Sequence, residues 1–290
     1  MTTMTPATLT ETTLTEGGLY RLLAWLSPSF PIGAFSYSHG IEAAVEAGRV
    51  RDRESLEAWV AAILRHGTGR LDADLFRDAW DAVSGLLVES APSPQRGEGR
   101  GEGELVQARI SMALLGAGCG SPSPCLSPEG RGEDRLGSLM LISARADAHR
   151  GTAETALEAR AQGEAFLTTC RAAWPHPVLD AWAAALADDR RPPAYAVAVG
   201  VAAACAAVPL EAALTAYLHA VAANLISAGL RLIPLGQTDG QRALCALEPV
   251  VADCVAAALA RPAADFGGCA LAAELASIDH EGQYTRLFRS

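Results

Sequence analysis

Apolar residues in this chain recur three and four positions apart over most of its length, and strict alternation is nearly missing, so the pattern predicts helices rather than strands. Leu19, Leu22, Leu23 and Leu26 mark a first helix. It breaks at Ser27-Pro28-Ser29-Phe30-Pro31-Ile32-Gly33, where two prolines and a glycine enforce a rigid loop. A second helix is predicted from Phe35 to Ala47, with Gly48 as its stop. A third starts after Asp52, a suitable N-cap, and carries Leu56, Trp59, Val60, Ile63 and Leu64 along one stripe. A fourth, from Asp72 to Val88, turns Leu75, Phe76, Ala79, Val83 and Leu86 to one side.

From about residue 90 to residue 137 the composition shifts to Gly, Pro, Ser, Glu and Arg, a mix that cannot bury enough apolar surface to offset chain entropy. A disordered insertion is expected there. Two of its pieces, Ser93 to Glu102 and Ser127 to Glu133, resemble each other, as a sequence element inserted in frame would. Helical spacing resumes at Thr152, an N-cap, and runs to Ala173 before Pro175 and Pro177. Further helices are predicted at Val178 to Ala187, Pro193 to Ala207 and Leu210 to Leu232. The last would span about 35 Å at a rise of about 1.5 Å per residue, the length of a central rod.

Thr238-Asp239-Gly240-Gln241 fits a capping box and places Gln237 at the start of a helix reaching Ala260, with a kink at Pro249. A short helix from Ala270 to Ser277 precedes a polar, aromatic tail that has no core of its own and needs a groove or a partner. The expected fold class is all-α: a single-domain bundle of roughly ten helices over residues 19–290, interrupted by the insertion and preceded by a disordered leader at residues 1–18.

Composition narrows the chemistry. The chain has 290 residues, 23 basic against 33 acidic, a formal charge of -10 and half its residues hydrophobic. Every basic residue is Arg, so a phosphate loop ending in Gly-Lys-Ser/Thr, a Schiff-base lysine and a lysine base are all absent. Scattered arginines in an acidic chain also argue against a nucleic-acid surface, which needs clustered positive charge. The seven cysteines form no C-x-x-C pair and read as free thiols in a reducing compartment. The Thr-rich N-terminus lacks the basic and apolar parts of a signal peptide, and the most apolar run, Tyr195 to Val208, is too short to cross a bilayer. A cytoplasmic protein without a membrane partner is expected.

His39 and Glu42, with Glu46 one turn further, could hold a divalent metal on one helix face, although a site needs ligands from a second element. They are the weak metal candidates and the centre of the alternative reading, a helical metal-dependent hydrolase. No Gly-x-Ser-x-Gly supports a nucleophile. Asp72 with Asp74, and Asp188 with Asp189, read as solvated helix ends. Cys205, Cys245 and Cys254 fall on apolar stripes and read as buried thiols, while Cys119 and Cys125 lie in the insertion. Three polar-aromatic clusters do not look like core: Phe35 to Gly40, Pro234 to Gln241, and His280 to Arg289. Tyr and Arg flanked by amides either anchor protein interfaces or cap the bundle.

Those clusters carry a resemblance. Ser27 to Glu42 (SPSFPIGAFSYSHGIE), Arg231 to Gln241 (RLIPLGQTDGQ) and Gln283 to Ser290 (QYTRLFRS) are similar to the urease accessory protein family UreF, from Leu19 almost to the end and excluding the insertion. The resemblance implies an all-helical, non-catalytic chaperone for nickel insertion. Such a protein would form a homodimer, bind the accessory protein UreD (UreH), recruit the GTPase UreG and act on apo-urease. It implies no cofactor of its own, nickel being handled by the complex, in which UreF walls a passage into UreD, and GTP being bound and hydrolysed by UreG under UreF control. By position, Gln283, Tyr284, Arg286 and Arg289 would contact UreD. Gln237, Asp239 and Gln241, with Tyr37 and His39, would contribute to the surface UreG approaches. The insertion and the leader depart from the family pattern.

Overall fold

A computed structural model describes residues 13–90 and 135–289. Among these residues it holds eleven α-helices and no strand. They are α1 (Glu16–Trp25), α2 (Ile41–Glu46), α3 (Arg53–His66), α4 (Thr68–Ser90), α5 (Arg135–Ala148), α6 (Ala153–Ala173), α7 (Pro177–Asp188), α8 (Tyr195–Cys205), α9 (Leu210–Leu232), α10 (Gln237–Ala260) and α11 (Leu271–Glu281). The all-α expectation holds. The predicted insertion lies outside the described residues except at its C-terminal edge, where α5 has already begun; Cys119 and Cys125 and most of the predicted leader lie outside them as well.

Helix starts follow side-chain chemistry. Asp52 accepts from Ser55 N at 2.8 Å while Ser55 Oγ accepts from Asp52 N, a complete capping box for α3. Thr152 and Thr155 do the same for α6. At α10 the cap falls two residues earlier than predicted. Gly236 is the N-cap and Asp239, not Thr238, closes the turn by accepting from Gly236 N. The helix then runs on through Pro249 to Ala260.

Tyr195 to Ala204 in α8 are all buried, so the helix that is apolar on every side, rather than the longer α9, lies at the centre. It crosses α4 so closely that a Cβ on Gly200 would sit 2.7 Å from Phe76 O. α9 packs on α2, α3, α4, α8 and α10. Both α9 and α10 are long and apolar enough to cross a membrane, with 50% and 39% of their most apolar stretches buried within the protein.

Three regions depart from the predicted pattern. α5 was hidden by the low-complexity stretch that precedes it, yet Leu139, Ile142 and Ala146 are buried. The predicted second helix from Phe35 to Ala47 is split into a 3-10 turn (Ala34–Ser36) and α2, because His39 and Gly40 turn left-handed at φ 52° and 74°. Asp72 and Asp74 are not solvated helix ends: Asp74 is 1% exposed and paired with Arg261, and Asp72 is held by Arg150. Of the three cysteines predicted buried on apolar stripes, Cys254 is buried, Cys205 is partly so and Cys245 is exposed. Phe30, in the two-proline loop, stacks on Phe166 and Trp174 and fixes that loop to α6.

Candidate partner-binding surface

The tail after α11 folds back onto α2. Glu42, on the first turn of α2, receives Leu287 N at Oε1 (2.7 Å) and Phe288 N at Oε2 (2.9 Å). The His280 ring is wholly buried between two carboxylates, with Nε2 3.1 Å from Glu42 Oε2 and Nδ1 2.9 Å from Glu154. Arg286 donates to the same Glu154 (3.0 Å) and to the carbonyls of Glu281 and Gln283. Gln283 donates to Glu46. Burial alone pushes the Glu42 carboxyl up, but the two tail amides and His280 outweigh it and hold the group below its ordinary range.

The first cluster and the C-terminal end of α9 meet this tail. Arg289 N donates to Ser36 O (2.8 Å), and its guanidinium lies 5.9 Å from the Tyr37 ring, which is buried. Arg231 covers the Phe288 ring at 4.3 Å and donates to Phe35 O. Gly40 is required at this junction: at φ 74°, a Cβ there would lie 2.6 Å from Ser277 N on α11.

Beneath the Ser27–Phe35 loop is a second polar group. His39 Nδ1 lies 3.0 Å from Glu158 Oε2, close enough for ion pairing but outside hydrogen-bond alignment. Gln162 donates to Glu158, while Arg150 and Tyr217 donate to Asp72. Burial, the largest influence, pushes His39 down, but the neighbouring Glu158 carboxylate and the Asp72 charge together outweigh it and raise the group above its ordinary value.

The structure therefore brings Tyr37, Gln283, Arg286 and Arg289 into one tail region, which Glu42 anchors through the Leu287 and Phe288 amides. Tyr284 belongs to the same tail and is fully exposed. His39 points away, toward Glu158. Gln237, Asp239 and Gln241 stand apart at the start of α10, where the Asp239 carboxylate caps Gly236 and pairs with Arg242. His39 and Glu42 do not converge, and among the described residues no group of three or more His, Cys, Asp or Glu is placed to hold a metal. Glu154, Glu158 and Arg150 were not singled out from sequence. Each acts through a partner more than 70 residues away, which no local pattern encodes.

Two apolar surfaces are left open. Leu271, Leu275 and Ile278 on α11, with Leu287 on the tail, are exposed. A groove of 1680 Å³ runs between α1, α9 and α10, with Leu19 and Leu23 on one rim and Leu259 on the other.

The comparisons with known proteins agree with the motifs. The UreF family model matches residues 50–248. The chain is 45% identical over 272 residues to the urease accessory protein UreF of Rhodopseudomonas palustris (strain BisB18), covering 94% of this chain and 92% of that one. It is 40% identical over 291 aligned positions to the UreF of Bradyrhizobium diazoefficiens, covering 100% and 99%, and 38% identical over 280 to that of Magnetococcus marinus, covering 95% and 99%. These relatives are named as accessory proteins rather than as enzymes. The chain belongs to the UreF family of urease accessory proteins.

Proposed function

We propose that this protein is a cytoplasmic assembly factor that holds UreD (UreH) and the GTPase UreG in fixed geometry while nickel is loaded into apo-urease. The observation that carries this reading is the docked tail: Glu42, Glu154 and His280 anchor it, yet Tyr284 faces water entirely and Leu287 is 64% exposed. A large aromatic on an anchored segment binds without a large ordering cost, as an interface hot spot does.

In this reading Gln283, Tyr284, Arg286 and Arg289 form the UreD contact, with Tyr37 supporting Arg289 from below. Gln237, Asp239 and Gln241 present the second surface, toward UreG, to which His39 contributes. Nickel is the cargo of the complex and GTP remains on UreG, whose hydrolysis this chain regulates by holding its partner in place. The groove edged by Leu19, Leu23 and Leu259 is the surface of a homodimer, which would remove those side chains from water.

Co-purification with UreD tests the tail assignment. Tyr284→Ala combined with Arg286→Ala is expected to abolish recovery of UreD while the helical signal stays unchanged. Undiminished recovery would reject the assignment.

A further inference from the structure

The pocket beneath the Ser27–Phe35 loop has a volume of about 410 Å³, within the range of small-molecule sites. Leu26, Phe30, Ile32 and Leu225 supply its apolar lining; His39, Arg150, Glu158 and Tyr195 supply the polar part. The polar side is unevenly satisfied. All four carboxylate oxygens already have protein partners: Asp72 receives Arg150 Nη2 at 2.7 Å and Tyr217 OH at 2.9 Å, and Glu158 faces Gln162 at 2.8 Å and His39 at 3.0 Å.

The donors are not used up. Among the described residues, Arg150 Nε and Nη1, His39 Nε2 and the Tyr195 hydroxyl make no hydrogen bond to protein, and none of them is among the buried polar atoms sealed from solvent. Arg150, paired with Asp72 through Nη2, is the one arginine lining the pocket, and its unused donors are what a carboxylate oxygen would take. Water could meet the spare donors but would gain nothing from the apolar wall.

We propose that this cavity binds a small organic monocarboxylate, its two oxygens taken by Arg150 and Tyr195 and its carbon body lying against Phe30 and Ile32. The site is separate from the tail surface and does not depend on the role in urease maturation.

The test is binding to the purified full chain by ligand-observed NMR, with acetate, butyrate and benzoate as probes and butyramide as the neutral counterpart of butyrate. At least one carboxylate should bind saturably, and butyramide should bind at least about tenfold more weakly than butyrate, the factor that about 1.4 kcal/mol represents. Tyr195→Phe keeps the ring and should weaken the carboxylate about tenfold. Ala223→Leu, which fills the cavity, should abolish binding. Absence of saturable binding by every carboxylate, equal binding of the amide, or binding unchanged in Tyr195→Phe would overturn the proposal; the last holds even if Ala223→Leu fails to fold.

Discussion

The tail and the start of α10 carry the same kind of polar, motif-like sequence, but the structure treats them oppositely. Gln283 to Arg289 is tied to α2, α6 and the 3-10 turn at Ser36 by contacts that span more than a hundred residues. Gln237 to Gln241 makes local contacts, the Asp239 cap and its Arg242 partner. An apparently similar cluster can thus be a clamp in one place and a free edge in the other. The difference lies in the partner carboxylates: Glu42 and Glu154 sit mostly buried with 12% and 7% of their side chains exposed, and the Asp239 side chain is 33% exposed.

The widest gap between the two regions should come from His280→Ala. It leaves Glu42 and Glu154 without the imidazole that lies between them and should cost about 3 kcal/mol, the buried carboxylates losing a hydrogen-bond partner while Arg286 still serves Glu154. Thermal or denaturant unfolding measures it; a shift no larger than that of a surface substitution would remove the clamp from the account. Gly40→Ala should follow at about 2 kcal/mol, from the left-handed backbone and the Ser277 amide in the way of the methyl. Limited proteolysis should then cut at Arg286 and Arg289, which remain protected in the unaltered protein.

Glu42→Gln sharpens the comparison through pH, with a loss of about 1–2 kcal/mol near neutrality from weaker bonds to the tail amides. The folded Glu42 titrates lower than its ordinary value near 4.5, so its contribution is present above that value and lost as pH falls through the folded one. His39 is raised above 6.5, so its contribution is whole below that pH and fades as pH climbs through the folded value. Melting temperatures across pH should therefore lose acid sensitivity in Glu42→Gln and alkaline sensitivity in His39→Gln. Asp239→Ala should have the smallest effect, a slight drop in melting temperature with the tail still protected, since its contacts are local and exposed.

Much of the fold was legible because it rests on periodicity and caps. Asp52 and Thr152 announce α3 and α6, and Leu210 to Leu232 is bounded as the sequence indicated. α5 was missed because its apolar stripe follows directly on Gly- and Arg-rich sequence and contains Gly137, which interrupts the pattern though Leu139 and Ile142 are core. The break of the second helix was missed because its cause lies in α11: Gly40 has to lie against Ser277, a residue from the far end of the chain. Tail residues could be picked out as unusual, but their anchors could not. Glu154 reads as an ordinary first-turn acid of α6, and only the folded chain places it against His280 and Arg286.

The central claim, that this chain works by gripping other proteins through its anchored tail, is tested most directly by the nickel content of urease purified from cells lacking this gene and supplied with either the unaltered protein or Tyr284→Ala. Unaltered protein should restore metallated urease, and Tyr284→Ala, folded and equally abundant, should leave most of it without nickel. Full metallation with Tyr284→Ala, or in cells given no copy at all, would contradict the account.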